Sequence, residues 1–227
     1  PEKSVLLDAW YVDGCKGIAK GLEGQNIAWV APTQLSTWRL PPADIPIINA
    51  LKLPHIYLIT PDFYGTQDSY LNALDQTLEW GYRWLQLRVK NMKRKDWECL
   101  ARLAIEKKAQ VLLNTSPQRA IDLGADGVHL SSAVLCSLTS RPLEREYWVG
   151  ASCHNEVELR HADSIGVDFA VLSPVSKTLS HPESNPMGWV EFQRLTELAT
   201  MPIYSLGGMA KADIDTACRR GGQGIAA

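Results

Sequence analysis

Three long hydrogen-bond donors, Gln86, Arg88 and Lys90, alternate with Leu85, Leu87 and Val89, so an extended chain sets all three on one side. A planar guanidinium beside a compact ammonium suits a phosphate or pyrophosphate. Gln86 and Arg88 lie in an otherwise apolar run, where an unpaired polar group is costly, so their placement points to a ligand. Lys93, Arg94 and Lys95 read instead as a solvated loop. A second anion signal is Leu206-Gly207-Gly208-Met209, followed by Gly221-Gly222-Gln223-Gly224, because paired glycines leave backbone N–H groups open to an anion. His154, in Ser152-Cys153-His154, is the group suited to moving a proton near neutral pH. Its neighbour Cys153 reads as a small apolar residue, and Glu156 and Glu158 begin the next helix. His129 reads as a satisfied interior histidine, and His181 falls in a polar loop that could act as a lid or lie plainly on the surface.

These residues need a frame that brings them together. Eight short apolar runs supply one: 55–59, 84–88, 110–114, 127–130, 148–152, 168–172, 202–206 and 224–227, most of them followed by helix-like sequence. Parallel strands alternating with helices in that number imply an α/β fold of the TIM (β/α)8 type. In that architecture the segments just past the strand ends build the site, and the loops after strands seven and eight often take a phosphate. Asp126 and Asp168 fall at strand beginnings, away from it.

The chain has 227 residues, is 45% hydrophobic and carries a formal charge of -2, which gives no hint of a nucleic-acid polymer or a membrane as partner. No apolar stretch reaches the ~18 residues of a membrane span. Five cysteines without C-x-x-C spacing fit a reducing compartment, so a cytoplasmic location is expected. The composition does not speak to oligomeric state.

Residues 1–53 lack the strand–helix rhythm and read as a separate part from the barrel at 54–227. Strands are expected over Ser4 to Val12 and Asn26 to Val30, and a helix from Ala43 to Leu51 behind Pro41 and Pro42. The chain opens on Pro1 and stops in strand eight without an eighth helix, so residues beyond either end, or a covering partner, are expected.

From about Leu53 to Ala227 the sequence resembles the thiamine phosphate synthase superfamily, which also holds the thiazole tautomerases. The resemblance rests on Gln86-Leu87-Arg88-x-Lys90, Gly127-Val128-His129-Leu130, Gly150-x-Ser152-x-His154, Ser173-Pro174-Val175 with Thr178, Pro186-x-Gly188 and Leu206-Gly207-Gly208-Met209. It implies a TIM barrel that binds a phosphorylated thiazole, with Gln86, Arg88, Lys90, Asn114, Ser152, His181, Gly207 and Gly208 contacting substrate or phosphate and His154 catalytic. The synthases of this family hold Mg2+ through an aspartate after strand three and another after strand four. Here Thr115 and Val134 stand at those places, and neither offers a carboxylate. A tautomerase needs no cofactor, so the resemblance favours a metal-independent isomerase over a transferase requiring Mg2+.

The N-terminal part, through Gly21-Leu22-Glu23-Gly24-Gln25, Trp29-Val30 and Leu40-Pro41-Pro42-Ala43-Asp44, resembles the closing third of a MutT-type Nudix hydrolase. In an intact domain of that family, which hydrolyses oxidised nucleotides of the 8-oxo-dGTP kind, Glu23 would help hold Mg2+. The Nudix box itself is missing from these residues, and an aspartate at 44 replaces the expected asparagine. A further expectation is therefore a regulatory, non-catalytic barrel fused to such a hydrolase.

Overall fold

The computed structural model describes residues 12, 14–62, 65–88, 94–107, 109–178, 183 and 185–227. All eight expected strands form: β1 Ile56–Ile59, β2 Trp84–Leu87, β3 Gln110–Leu113, β4 Gly127–Leu130, β5 Trp148–Cys153, β6 Phe169–Leu172, β7 Ile203–Ser205 and β8 Gly224–Ala226. They pair in parallel, each with the next, and β8 closes on β1. Helices α2 Gln67–Glu79, α3 Arg94–Glu106, α4 Pro117–Asp122, α5 Ser132–Ser137, α6 Glu156–Ile165, α7 Gly188–Thr196 and α8 Ile214–Arg219 alternate with them. No helix among the described residues is long and apolar enough to cross a membrane.

Strand alternation sorts the side chains into two cores. One set of residues, among them Leu85, Leu87, Val111, Leu113, Val128, Leu130, Val149, Ala151 and Cys153, turns outward and packs under the helices. The other set, Tyr57, Leu112, Phe169, Val171, Tyr204 and Ala226, fills the barrel. Tyr57 meets Phe169 edge to face at 5.1 Å, and Phe169 meets Tyr204 likewise at 5.7 Å. Such pairs each contribute about 0.5–1.5 kcal/mol beyond simple burial.

The N-terminal residues depart from expectation. No strand forms among the described residues before β1, and Asn26–Val30 is irregular. Most of Ser4–Val12 lies outside the described residues. The Nudix-type α+β unit is therefore not found among the described residues. Glu23 is exposed in a turn, its N–H bonded to Gln25 Oε1 at 2.8 Å. The helix expected at 43–51 does form, as a 3-10 turn Pro42–Asp44 leading into α1 Ile45–Lys52. Its place is the barrel base. Asn49 Nδ2 donates to Asp168 Oδ1 at 3.3 Å, Gln223 Nε2 donates to the Ala50 and Leu53 carbonyls, and Leu53 enters the inner core. The amphipathic helix thus covers the mouth at the strand beginnings, opposite the strand exits.

Candidate functional site

The open mouth is ringed by the strand exits. Gln86 stands in register with Ile59 on one side and Leu112 on the other, both lining the interior. It is buried, and its Nε2 has no hydrogen-bond partner among the described residues. A buried donor without an acceptor is costly, which makes Gln86 a candidate for ligand contact. Arg88 follows directly, half-buried, with its N–H bonded to Thr60 Oγ1 at 2.9 Å; Thr60 in turn donates to the Gln86 carbonyl. Lys90 and His181 lie outside the described residues. Asn114 is half-buried just past β3, its N–H bonded to the Leu87 carbonyl.

Below the rim, His129 is buried and takes part in two hydrogen bonds: Tyr57 Oη to Nδ1 at 3.2 Å and Nε2 to Ser152 Oγ at 3.0 Å. Burial, with the Arg88 charge acting in the same sense, pushes the imidazole down to about 3, so it is neutral throughout the physiological range. The Tyr57 phenol is raised by burial, partly opposed by the Gln86 amide beside it. His129 is thus the satisfied interior histidine expected, with Ser152 tied to it.

His154 emerges after β5 with its side chain 47% exposed and Nδ1 3.0 Å from Glu158 Oε2. The same oxygen accepts the His154 backbone N–H at 2.8 Å. α6 begins here because Asn155 caps it, accepting from the Glu158 N–H at 3.0 Å. Burial by itself would raise the Glu158 pKa. Hydrogen bonds from the His154 ring, Ser132 and the His154 N–H outweigh it, and the carboxyl ends below the ordinary range. An ionised Glu158 only accepts, so His154 carries its hydrogen on Nδ1 and presents the Nε2 lone pair. The role of Glu158 was missed in the sequence, although Asn155-x-x-Glu158 behind a histidine is a capping signature that could have shown it. Cys153 is buried among the outward residues, and burial pushes its thiol up to about 12. It is no nucleophile.

Across the mouth, Gly207 and Gly208 adopt φ of +106° and +64°. A Cβ on Gly208 would stand 2.3 Å from the Lys177 carbonyl oxygen, so the β7 exit lies flat on the loop after β6. That loop is pinned at both ends: Val175 N–H bonds to the Leu206 carbonyl, and Met187 and Gly188 N–H groups bond to the Pro174 and Val175 carbonyls.

The residues do not fit a family-type Mg2+ site. Among the described residues no three His, Cys, Asp or Glu side chains converge as metal ligands, and Thr115 and Val134 supply no carboxylate. Asp126 and Asp168 are engaged at the strand beginnings, Asp126 with the Val111 N–H and Asp168 with the Val149 N–H and Arg141.

Comparison with known proteins agrees with this architecture. A family described as thiamine monophosphate synthase matches residues 56–227. A protein of Aquifex aeolicus named putative thiamine-phosphate synthase 2 is 34% identical over 181 residues, covering 78% of this chain and 96% of its own. One of Geobacter sulfurreducens, named putative thiamine-phosphate synthase, is 30% identical over 177 residues, covering 75% and 83%. A solved thiamine phosphate pyrophosphorylase from Pyrococcus furiosus aligns with a TM-score of 0.60 at 21% identity, over 78% of this chain and 86% of that one. A 3-hexulose-6-phosphate synthase aligns at 0.58 with 11% identity, over 76% and 89%. These last two likenesses speak to the fold alone.

Proposed function

Because the chain belongs to the thiamine monophosphate synthase family, we propose that its barrel takes a phosphorylated thiazole at the strand exits and moves a ring proton with His154, without a metal. The observation that carries this reading is the His154–Glu158 pair at 3.0 Å. The carboxylate fixes the imidazole as the Nδ1–H tautomer, and Nε2 removes a proton from a ring carbon and returns it at another position. Reactant and product have the same composition, so no co-reactant is needed. In this reading Gly207 and Gly208 hold the phosphate, Arg88 pairs with the thiazole carboxylate, and the unused Gln86 amide offers one more donor.

A second reading, the synthase reaction, draws support from the printed names of the relatives and from that same amide, which could meet a pyrimidine partner. It requires a divalent metal, which Thr115 and Val134 do not favour. The test is ring-proton exchange of the thiazole carboxylate phosphate in deuterated, metal-free buffer, followed by diphosphate release from the hydroxymethylpyrimidine diphosphate with Mg2+ added. Exchange that vanishes in His154→Ala is the expected result. Diphosphate release without metal-free exchange would overturn the tautomerase in favour of the synthase, and binding with neither would leave a non-catalytic binding barrel.

A further inference from the structure

The barrel interior holds a file of hydrogen bonds that proton transfer by His154 does not use. It runs from Tyr57 through His129 to Ser152, with contacts of 3.2 and 3.0 Å. Tyr57 and His129 are buried, and Ser152 is half-buried where β5 opens to the mouth. Gly150 makes room for the ring: a Cβ there would stand 2.9 Å from His129 Nδ1 and 2.6 Å from Phe169 Cζ.

The direction of the file follows from counting hydrogens. A neutral imidazole has one N–H, the phenol one O–H and the serine one O–H. With the phenol donating to Nδ1, the imidazole hydrogen sits on Nε2 and is donated to Ser152 Oγ. The serine hydrogen is then left over for whatever occupies the mouth. In the reverse order Nδ1–H donates to the phenol oxygen, and the phenol hydrogen points into an interior walled by Phe169 and Tyr204. Among the described residues the phenol oxygen has no hydrogen-bond partner besides His129 Nδ1, so that hydrogen would meet no acceptor. A buried donor left unmade costs about 1–3 kcal/mol, which selects the first order.

We propose that Tyr57 and His129 are positioning residues that fix the Ser152 hydroxyl as a hydrogen-bond donor to the ligand. At that point the mouth selects an acceptor atom, such as an anionic oxygen or a ring nitrogen. The ligand part of this statement rests on the functional reading above, whereas the internal order of the file does not.

The first test needs no turnover. In the full chain with 15N-labelled histidine, the His129 signal is identified by its loss in His129→Gln. It should report a hydrogen on Nε2 and none on Nδ1, and Tyr57→Phe, which removes the donor that fixes this order, should release the ring to a mixture of the two tautomers. A wild-type ring protonated on Nδ1, or a tautomer unmoved by Tyr57→Phe, overturns the proposal. In titrations with the thiazole carboxylate phosphate, Tyr57→Phe and Ser152→Ala should each weaken binding on the order of tenfold, and the double variant no further. Additive losses overturn it as well. A wild-type chain that binds no thiazole phosphate but shows the Nε2 tautomer sinks the functional reading and leaves the order of the file standing.

Discussion

Asn49, on the helix before the barrel, donates to Asp168, at the foot of β6, across 119 residues of sequence. Asp168 uses its other oxygen twice, accepting from the Val149 N–H and from Arg141, both at 2.7 Å. One carboxylate therefore joins α1, the β5–β6 edge and the segment before β5. These contacts tie α1 to the base of the barrel, at the end opposite the strand exits.

Removing the carboxylate's charge leaves Arg141 as a mostly buried cation without its counter-charge, its Nη2 keeping the Tyr147 carbonyl at 2.7 Å, and breaking such a pair costs about 3–5 kcal/mol. Asp168→Asn should approach this loss, while Asn49→Ala, which removes one neutral donor, should lose only about 1 kcal/mol. Urea denaturation of the two variants checks the ranking, and equal midpoints would show that α1 rather than the ion pair holds the base.

Glu158→Gln keeps the size and the hydrogen-bonding reach of the side chain but removes the acceptor-only character that fixes the His154 tautomer. Ring-proton exchange should fall at least about tenfold, since an unoriented base forfeits much of general-base catalysis. KM for the thiazole carboxylate phosphate should hardly move, because Glu158 faces His154 and Ser132. A rise in KM with unchanged kcat would reassign Glu158 to binding.

The eight strands were legible because each is a short apolar run closed by polar or glycine residues, a pattern that survives without knowledge of any partner. Asp126 and Asp168 stand at strand beginnings and Cys153 is a small residue of the outer core, as their sequence context predicts. What could not be read was which distant groups would meet. Nothing local to Tyr57 announces His129, and nothing in Asn49 announces Asp168, since these contacts exist only after the barrel closes. The expected strand at Asn26–Val30 shows the opposite limit: a short apolar run forms no strand without a neighbour to pair with, and among the described residues none is present.

Gly208→Ala tests the anion loop. Its φ of +64° disfavours any side chain, and the new Cβ would meet the Lys177 carbonyl oxygen, so the β7 exit must lift from the loop after β6. Binding of the thiazole carboxylate phosphate should weaken by about tenfold or more. Gly124→Ala is the control. At φ +76° with nothing within 4 Å of its Cβ, it carries the backbone strain alone and should cost about 1 kcal/mol of stability without touching affinity.

His129 makes a prediction about pH. Its pKa is held down to about 3 by burial and by Arg88, against an ordinary value of 6.5. Between those two values the unfolded chain binds a proton that the folded chain refuses, so stability falls as pH drops through this window and is fully present above it. The slope from this one group approaches about 1.4 kcal/mol per pH unit. Other groups titrate over the same range, so the comparison must be with His129→Gln, which keeps a polar side chain at the site and removes the ionisation. The variant should be less stable at pH 7, having lost the fit of the ring between Tyr57 and Ser152. It should then lose stability less steeply on acidification, by about one proton in the denaturation linkage. Parallel slopes for the two chains would mean that His129 is not kept neutral in the folded barrel, and the order of the hydrogen bonds from Tyr57 to Ser152 would fall with it.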